Sequence, residues 1–225
     1  MEKLSLPLLF AAALLAQPPH QFVFLPPSSL TGNSGAPYSA DEVHERGKPD
    51  SPGKLERTEV DRIYRDGEGR IRREMPVSHS NLHVVQIEDP VGGWMIVLDP
   101  QAKVAHRVKV ARNHVYPLSK STSPSRPLGS DQSLGTRMIE GFQANGTRSV
   151  MQMDAGPSIT DLWHIPELSV LVETKQTLPR SGVFIVRLEH LQRGDPDPAL
   201  FEIPQDYKIA DETARFSIAI SPDGR

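Results

Sequence analysis

The feature that most constrains this chain is the spacing of its turn signals. Residues 65–69 read Arg-Asp-Gly-Glu-Gly, residues 89–93 Asp-Pro-Val-Gly-Gly and residues 99–102 Asp-Pro-Gln-Ala. Glycine supplies the positive φ that tight turns need, and Pro100 suits the second position of a type I turn. The flanking segments, 54–64 with 70–76, 82–88 with 93–98, and 94–98 with 103–110, have strand length and are rich in β-branched residues. Three consecutive hairpins in this short span predict an antiparallel meander. With 21 prolines and 16 glycines among 225 residues, few stretches are long enough for the helices of a bundle.

The second half continues the pattern. Residues 133–140 and 142–153 pair around Gly141 or around Asn145-Gly146, and local turn rules favour the Asn-Gly. Segments 162–165, 168–177 and 183–193 follow, with 178–182 as the turn between the last two. Residues 199–201 read as one helical turn after Asp195-Pro-Asp-Pro198, and residues 203–207 as extended chain. Val170 and Val172 alternate with Ser169, Leu171 and Glu173; Phe184, Val186 and Leu188 alternate with Ile185, Arg187, Glu189 and Leu191. Such alternation belongs to a sheet with one buried face. The hairpin at 54–76 carries charges on both faces and reads as an edge, where they deter edge-to-edge pairing. The expected fold is all-β and mostly antiparallel: a curved meander sheet or half-open barrel with one or two short helical turns.

Residues 1–16 place an apolar run ending in small residues after Lys3, and a Pro-rich segment follows. This reads as a secretory signal peptide, too short to span a bilayer, with cleavage after Ala16 or Ala13. The expected organisation is a signal peptide at 1–16, a flexible Pro/Ser-rich lead-in at 17–37, and a β domain at 38–210. A polar loop at 113–130 interrupts that domain, and a tail at 211–225 ends the chain. The expected location is periplasmic or extracellular, with no transmembrane span in the mature chain. Within the tail, residues 216–220 form a short alternating run.

The chain has no cysteine, which excludes disulfides, a thiolate nucleophile and Cys-ligated metal sites. A net charge of −3 with both signs interspersed does not describe a nucleic-acid binder. His79 and His83 are four apart, but in an extended segment that is about 13 Å, too far to share a metal ion. His44, His106, His114, His164 and His190 read as surface or core-edge residues. No Gly-x-Ser-x-Gly elbow occurs, and Asp195-Pro-Asp197 lacks the Gly and distal Glu of a calcium loop. The expectation is no catalytic residue, no metal site and no cofactor. Trp94, Phe142, Trp163 and Phe184 lie in or beside apolar segments and are the candidates to line a cavity, if they do not simply pack the core.

Several segments are familiar together: Tyr64-Arg-Asp-Gly-Glu-Gly-Arg70, Asp89-Pro with Val97-Leu-Asp-Pro100, and Leu134-Gly-Thr-Arg-Met-Ile-Glu-Gly141. The ending Leu200-Phe-Glu-Ile-Pro-Gln-Asp-Tyr207 is the most specific. Residues 38–208 resemble a family of uncharacterised exported bacterial proteins. More distantly, the chain is similar to the periplasmic lipoprotein-carrier and outer-membrane lipoprotein-sorting (LolA-like) group. That likeness implies a half-open barrel whose concave face holds an acyl chain or a peptide. It leads to an expected non-catalytic binding module for a lipid, lipoprotein or peptide, with a cavity of at least about 300 Å³. Two alternatives stand beside it: a structural, stress-sensing or protein-interaction module contacting another envelope protein, and a hydrolase whose site is assembled from remote residues.

Overall fold

A computed structural model describes residues 19–25, 27, 30–31, 35–113 and 132–221. The strands of the first half are β1 (His20–Phe24), β2 (Leu30–Thr31), β3 (Tyr38–Lys48), β4 (Ser51–Arg65), β5 (Ile71–Pro76), β6 (His83–Asp89), β7 (Trp94–Asp99), β8 (Val104–Lys109) and β9 (Arg112–Asn113). Those of the second half are β10 (Gln132–Ile139), β11 (Phe142–Met153), β12 (Gly156–Ile165), β13 (Val170–Leu178), β14 (Gly182–Arg193), β15 (Lys208–Glu212) and β16 (Phe216–Ile220). One turn of 3-10 helix, Pro198–Phe201, is the only helix among the described residues. Asp197 caps it by accepting from the Ala199 N–H, as an Asx cap does.

Twelve strands build one sheet in the order β10-β11-β12-β13-β14-β3-β4-β5-β6-β7-β8-β15. Every pairing in it is antiparallel except that of β15 with β8. The sheet is curved and does not close into a barrel. Two small additions accompany it: β1 pairs with β16, and β2 with β9.

Register divides the side chains between two faces. Met75 opposes Val84, Arg73 opposes Gln86 and Ile63 opposes Arg73, so all share one face, here called the inner face. Two apolar clusters lie on it. The first gathers Ile63, Ala144, Ile165, Val172, Leu188 and their neighbours; the second gathers Val84, Met95, Val97 and Val108 with Phe24, Ile218 and Ile220 of the β1–β16 pair. A third, around Ile87, Ile96, Leu98 and Phe201, occupies the outer face of β6–β8. The apolar run of β7 follows from this, because strands buried on both faces lose their alternation. Each fully buried Val, Ile or Leu contributes about 1.5–3 kcal/mol.

Several expectations change. Within the lead-in read at 17–37, His20–Phe24 forms a strand, because residues 216–220 of the tail supply it with a complete antiparallel partner. Its prolines lie outside the strand. The hairpin read as an edge is central: β4 and β5 sit between β3 and β6. Several of its charges are met by neighbouring side chains, for example Arg62 by Asp41 at 2.7 Å and Arg70 by Asp66 at 2.6 Å, while Glu56, Arg57 and Glu59 are exposed. The β10–β11 turn is at Glu140-Gly141, both with positive φ (50° and 83°), while Asn145 and Gly146 lie inside β11. That two-residue turn keeps Ala144 on the buried side. In β14 a bulge near His190 (φ 52°) breaks the alternation and brings Leu191 into the cluster of Leu188. The signal segment at 1–16 and residues 114–130 of the polar loop lie outside the described residues.

Candidate functional site

The inner face is apolar at both ends and polar between them. In its middle, two adjoining hollows share Gln86 and Glu88. The larger, about 360 Å³, opens between β1 and the sheet, walled by Phe22, Phe24, Met75 and Met95. The smaller, about 160 Å³, continues toward β4 past Ile63, Ile71 and Arg73. β1 creates the larger space: it pairs with β16 and lies over β6 and β7 without hydrogen bonding to them. Gln86 donates to the Glu88 carboxylate at 3.0 Å, so the floor shared by the two hollows is polar while the walls are apolar. A third hollow of about 420 Å³ lies beside Arg57, Glu59 and the turn carrying Ser78, His79 and Ser80. His79 has a φ of 61° there.

Between the two clusters stands a charged group from three strands. Glu42 of β3 directly opposes Asp61 of β4, and His44 opposes Glu59. Arg73 of β5 donates to both Glu42 oxygens and, at 3.3 Å, to Asp61 Oδ2. His44 Nε2 lies 3.1 Å from Glu42 Oε1. Burial pushes the Glu42 carboxyl up, but the hydrogen bonds and charge of Arg73, with His44, outweigh it and hold it below the usual range. Asp61 goes the other way: burial, then the charge of Glu59, raises it against the pull of Arg73. Asp61 is 3 % exposed, and among the described residues its Oδ1 has no hydrogen-bond partner.

Sequence reading did not find this group. Its one local signal was Glu42-Val-His44, which places two ligand-type side chains on one face of a strand. The rest depends on strand register. Two more histidine–carboxylate pairs occur, His190 with Asp41 and His106 with Glu212, each at 2.8 Å. Among the described residues none of these three imidazole rings has a hydroxyl partner.

The four aromatic candidates are not brought together. Trp163 is buried in the first cluster, with the Arg137 guanidinium 4.0 Å above its ring, and Phe142 packs against the same cluster. Trp94 belongs to the outer-face cluster, with Arg107 and Lys109 at 4.2 and 4.1 Å from its ring. Phe184 is half-buried beneath Arg46. None of the four lines the two joined hollows.

No protein-family model and no curated protein matches the chain. Among solved structures, it is similar to an uncharacterised conserved protein from Thermus thermophilus. Identity is 9 %, the match covers 79 % of this chain and 91 % of that one, and the TM-score is 0.47. It is also similar to a chain of the MucA/MucB complex of Pseudomonas aeruginosa, at 12 % identity, 80 % and 59 % coverage and a TM-score of 0.49. The chain therefore spans about three fifths of that relative's length. A LolA-superfamily protein from Nitrosomonas europaea is matched at 9 % identity, 75 % and 90 % coverage and a TM-score of 0.31.

Proposed function

We propose that this chain is a non-catalytic binding module of the bacterial envelope, which takes an apolar chain with a polar end into the hollow beneath β1. The apolar moiety is an acyl chain of a lipid or lipoprotein. The observation that carries this reading is the pairing of apolar walls (Phe22, Phe24, Met75, Met95) with a floor of Gln86, Glu88 and Arg73. At about 360 Å³ the larger space falls at the small end of ligand sites, which are mostly apolar with a few placed polar groups. A single chain fits that size better than a multi-chain lipid. The export signal read at residues 1–16 supports the location.

A titration with a fluorescent fatty acid tests it. Saturable binding is expected, lost in Met75→Trp, which fills the hollow, and retained in Met138→Trp, whose site on β10 is 66 % exposed. Urea midpoints confirm that both variants are folded. Absent binding, or binding unchanged by the filling variant, overturns the reading.

The sheet edge favours a second reading. Among the described residues β10 pairs only with β11, leaving its outer side open. An extended segment of another envelope protein would add there as a further strand, the mode of edge-strand recognition. Pull-down of a stoichiometric protein, lost when Thr136→Pro blocks the edge, would support it.

A further inference from the structure

We propose that Glu42, His44 and Asp61 form a binding site for a transition-metal ion of the zinc class, set on rigid strands at the centre of the inner face. One ligand atom from each of the three lies within 4.8 Å of the others. Ligands of a tetrahedral metal at 2.0–2.1 Å stand about 3.3 Å apart, and His44 Nε2 and Glu42 Oε1 are already 3.1 Å apart. Small side-chain rotations close the set, because Glu42 and Asp61 face each other across the ladder and His44 is two residues along the same face.

Asp61 Oδ1 supplies the second, independent observation. A buried carboxylate oxygen without a partner is costly, and native proteins account for such groups by an ion or water. A cation at this point would satisfy it. The charges agree: among the described residues Glu42 and Asp61, with Glu59 beside them, share one permanent cation as ion-pair partner, Arg73. A divalent ion balances the excess. The donor set, one imidazole and two carboxylates, selects zinc and its neighbours over calcium or magnesium, which prefer all-oxygen ligands. Access exists as well. His44 is half-buried, and Glu59 opposite it lines the 420 Å³ hollow by the 77–80 turn.

Arg73 holds the same carboxylates and is the ion's competitor, which gives the test its direction. Zn²⁺ is titrated calorimetrically into the full chain, and Co²⁺ binding is followed by its visible absorption. One saturable site per chain is expected. His44→Ala, at a partly exposed side chain, and Asp61→Asn, which preserves shape, should each weaken binding by at least about tenfold. Arg73→Gln should tighten it. No saturable binding overturns the proposal, as does binding that His44→Ala leaves unchanged, which would place the ion on other histidines. The outcome does not depend on the fatty-acid titration, so the two readings fail separately.

Discussion

The Arg65 guanidinium lies 4.7 Å above the ring of Tyr38, and Arg65 is only 1 % exposed. Among the described residues it has no carboxylate partner. Its donors end instead on main-chain carbonyls: Ala36 O at 2.6 Å, Ser169 O at 3.2 Å and Leu168 O. One side chain thus ties the 35–37 segment and the 166–169 turn to the centre of the sheet. Burial lowers the pKa of the guanidinium, opposed by Tyr38, and burial raises the Tyr38 phenol. Charged hydrogen bonds contribute about 1.5–3 kcal/mol each, and a stripped buried carbonyl costs about 1–3 kcal/mol. Arg65→Ala should therefore lose about 3–5 kcal/mol of stability in urea unfolding. Arg65→Lys should recover only part of it, since an ammonium cannot match the planar fork.

Gly146 gives a packing prediction. It lies in β11 directly opposite Trp163, and a Cβ there would stand 2.7 Å from the Trp163 ring and 2.8 Å from Leu134 Cβ. The indole therefore lies across the glycine. Gly146→Ala forces it outward, an overpacking change that costs about 1–3 kcal/mol. In a Trp94→Phe background the remaining indole fluorescence should shift to the red. An unshifted spectrum with unchanged stability would show that the ring is not held there.

A third prediction concerns the β1–β16 pair. Ile220 is fully buried, and with Ile218 and Phe24 it closes the second cluster. Phe24 stacks on Phe216 at 5.3 Å. Ile220→Ala should cost about 2–5 kcal/mol, the range for truncating a buried isoleucine. Fatty-acid binding should weaken with it, because β16 holds β1, whose Phe22 and Phe24 wall the hollow. Unfolding followed by urea and ligand titration measure the two effects on one sample.

Acid sensitivity follows from Asp161. The hydrogen bonds of Arg148, at 2.6 and 2.7 Å, hold its carboxyl below the usual range against the opposing effect of burial. A carboxyl depressed on folding stabilises the protein above its unfolded pKa, about 3.9, and that stability is lost as pH falls through the folded pKa. The wild-type chain should exceed Arg148→Gln in urea midpoint at about pH 6, and the gap should narrow progressively below about pH 4. A gap that stays constant down to about pH 2 would contradict the assignment.

How much of this was legible depends on range. Turn chemistry read loops at 65–69, 89–93 and 99–102, within a residue of those between the strands at 66–70, 90–93 and 100–103, since Gly and Asp-Pro act locally. The alternation of Val170 and Val172 gave the buried side of β13, where Leu171 is exposed. Register was not legible. Asn145-Gly146 satisfies a turn rule, yet burial of Ala144 and the stacking of Trp163 on Gly146 place it in a strand. The charged hairpin was misplaced at an edge because its partners, Asp41 and Glu42, come from another strand. The β1–β16 ladder joins His20 to Ile220 and Phe24 to Phe216, from opposite ends of the sequence, and no local signal links them. The hollow exists only because of that pairing, so its lining could not be read from neighbours along the chain; Glu42-Val-His44 was a local signal, but its meeting with Asp61 depends on the β3–β4 register.

The most direct measurement of the central claim is native mass spectrometry of the chain purified from cells that produce it. The account predicts one bound lipid per chain, released by organic extraction and absent from Met75→Trp. A wild-type chain of bare polypeptide mass, or a lipid retained by the filled variant, would contradict it.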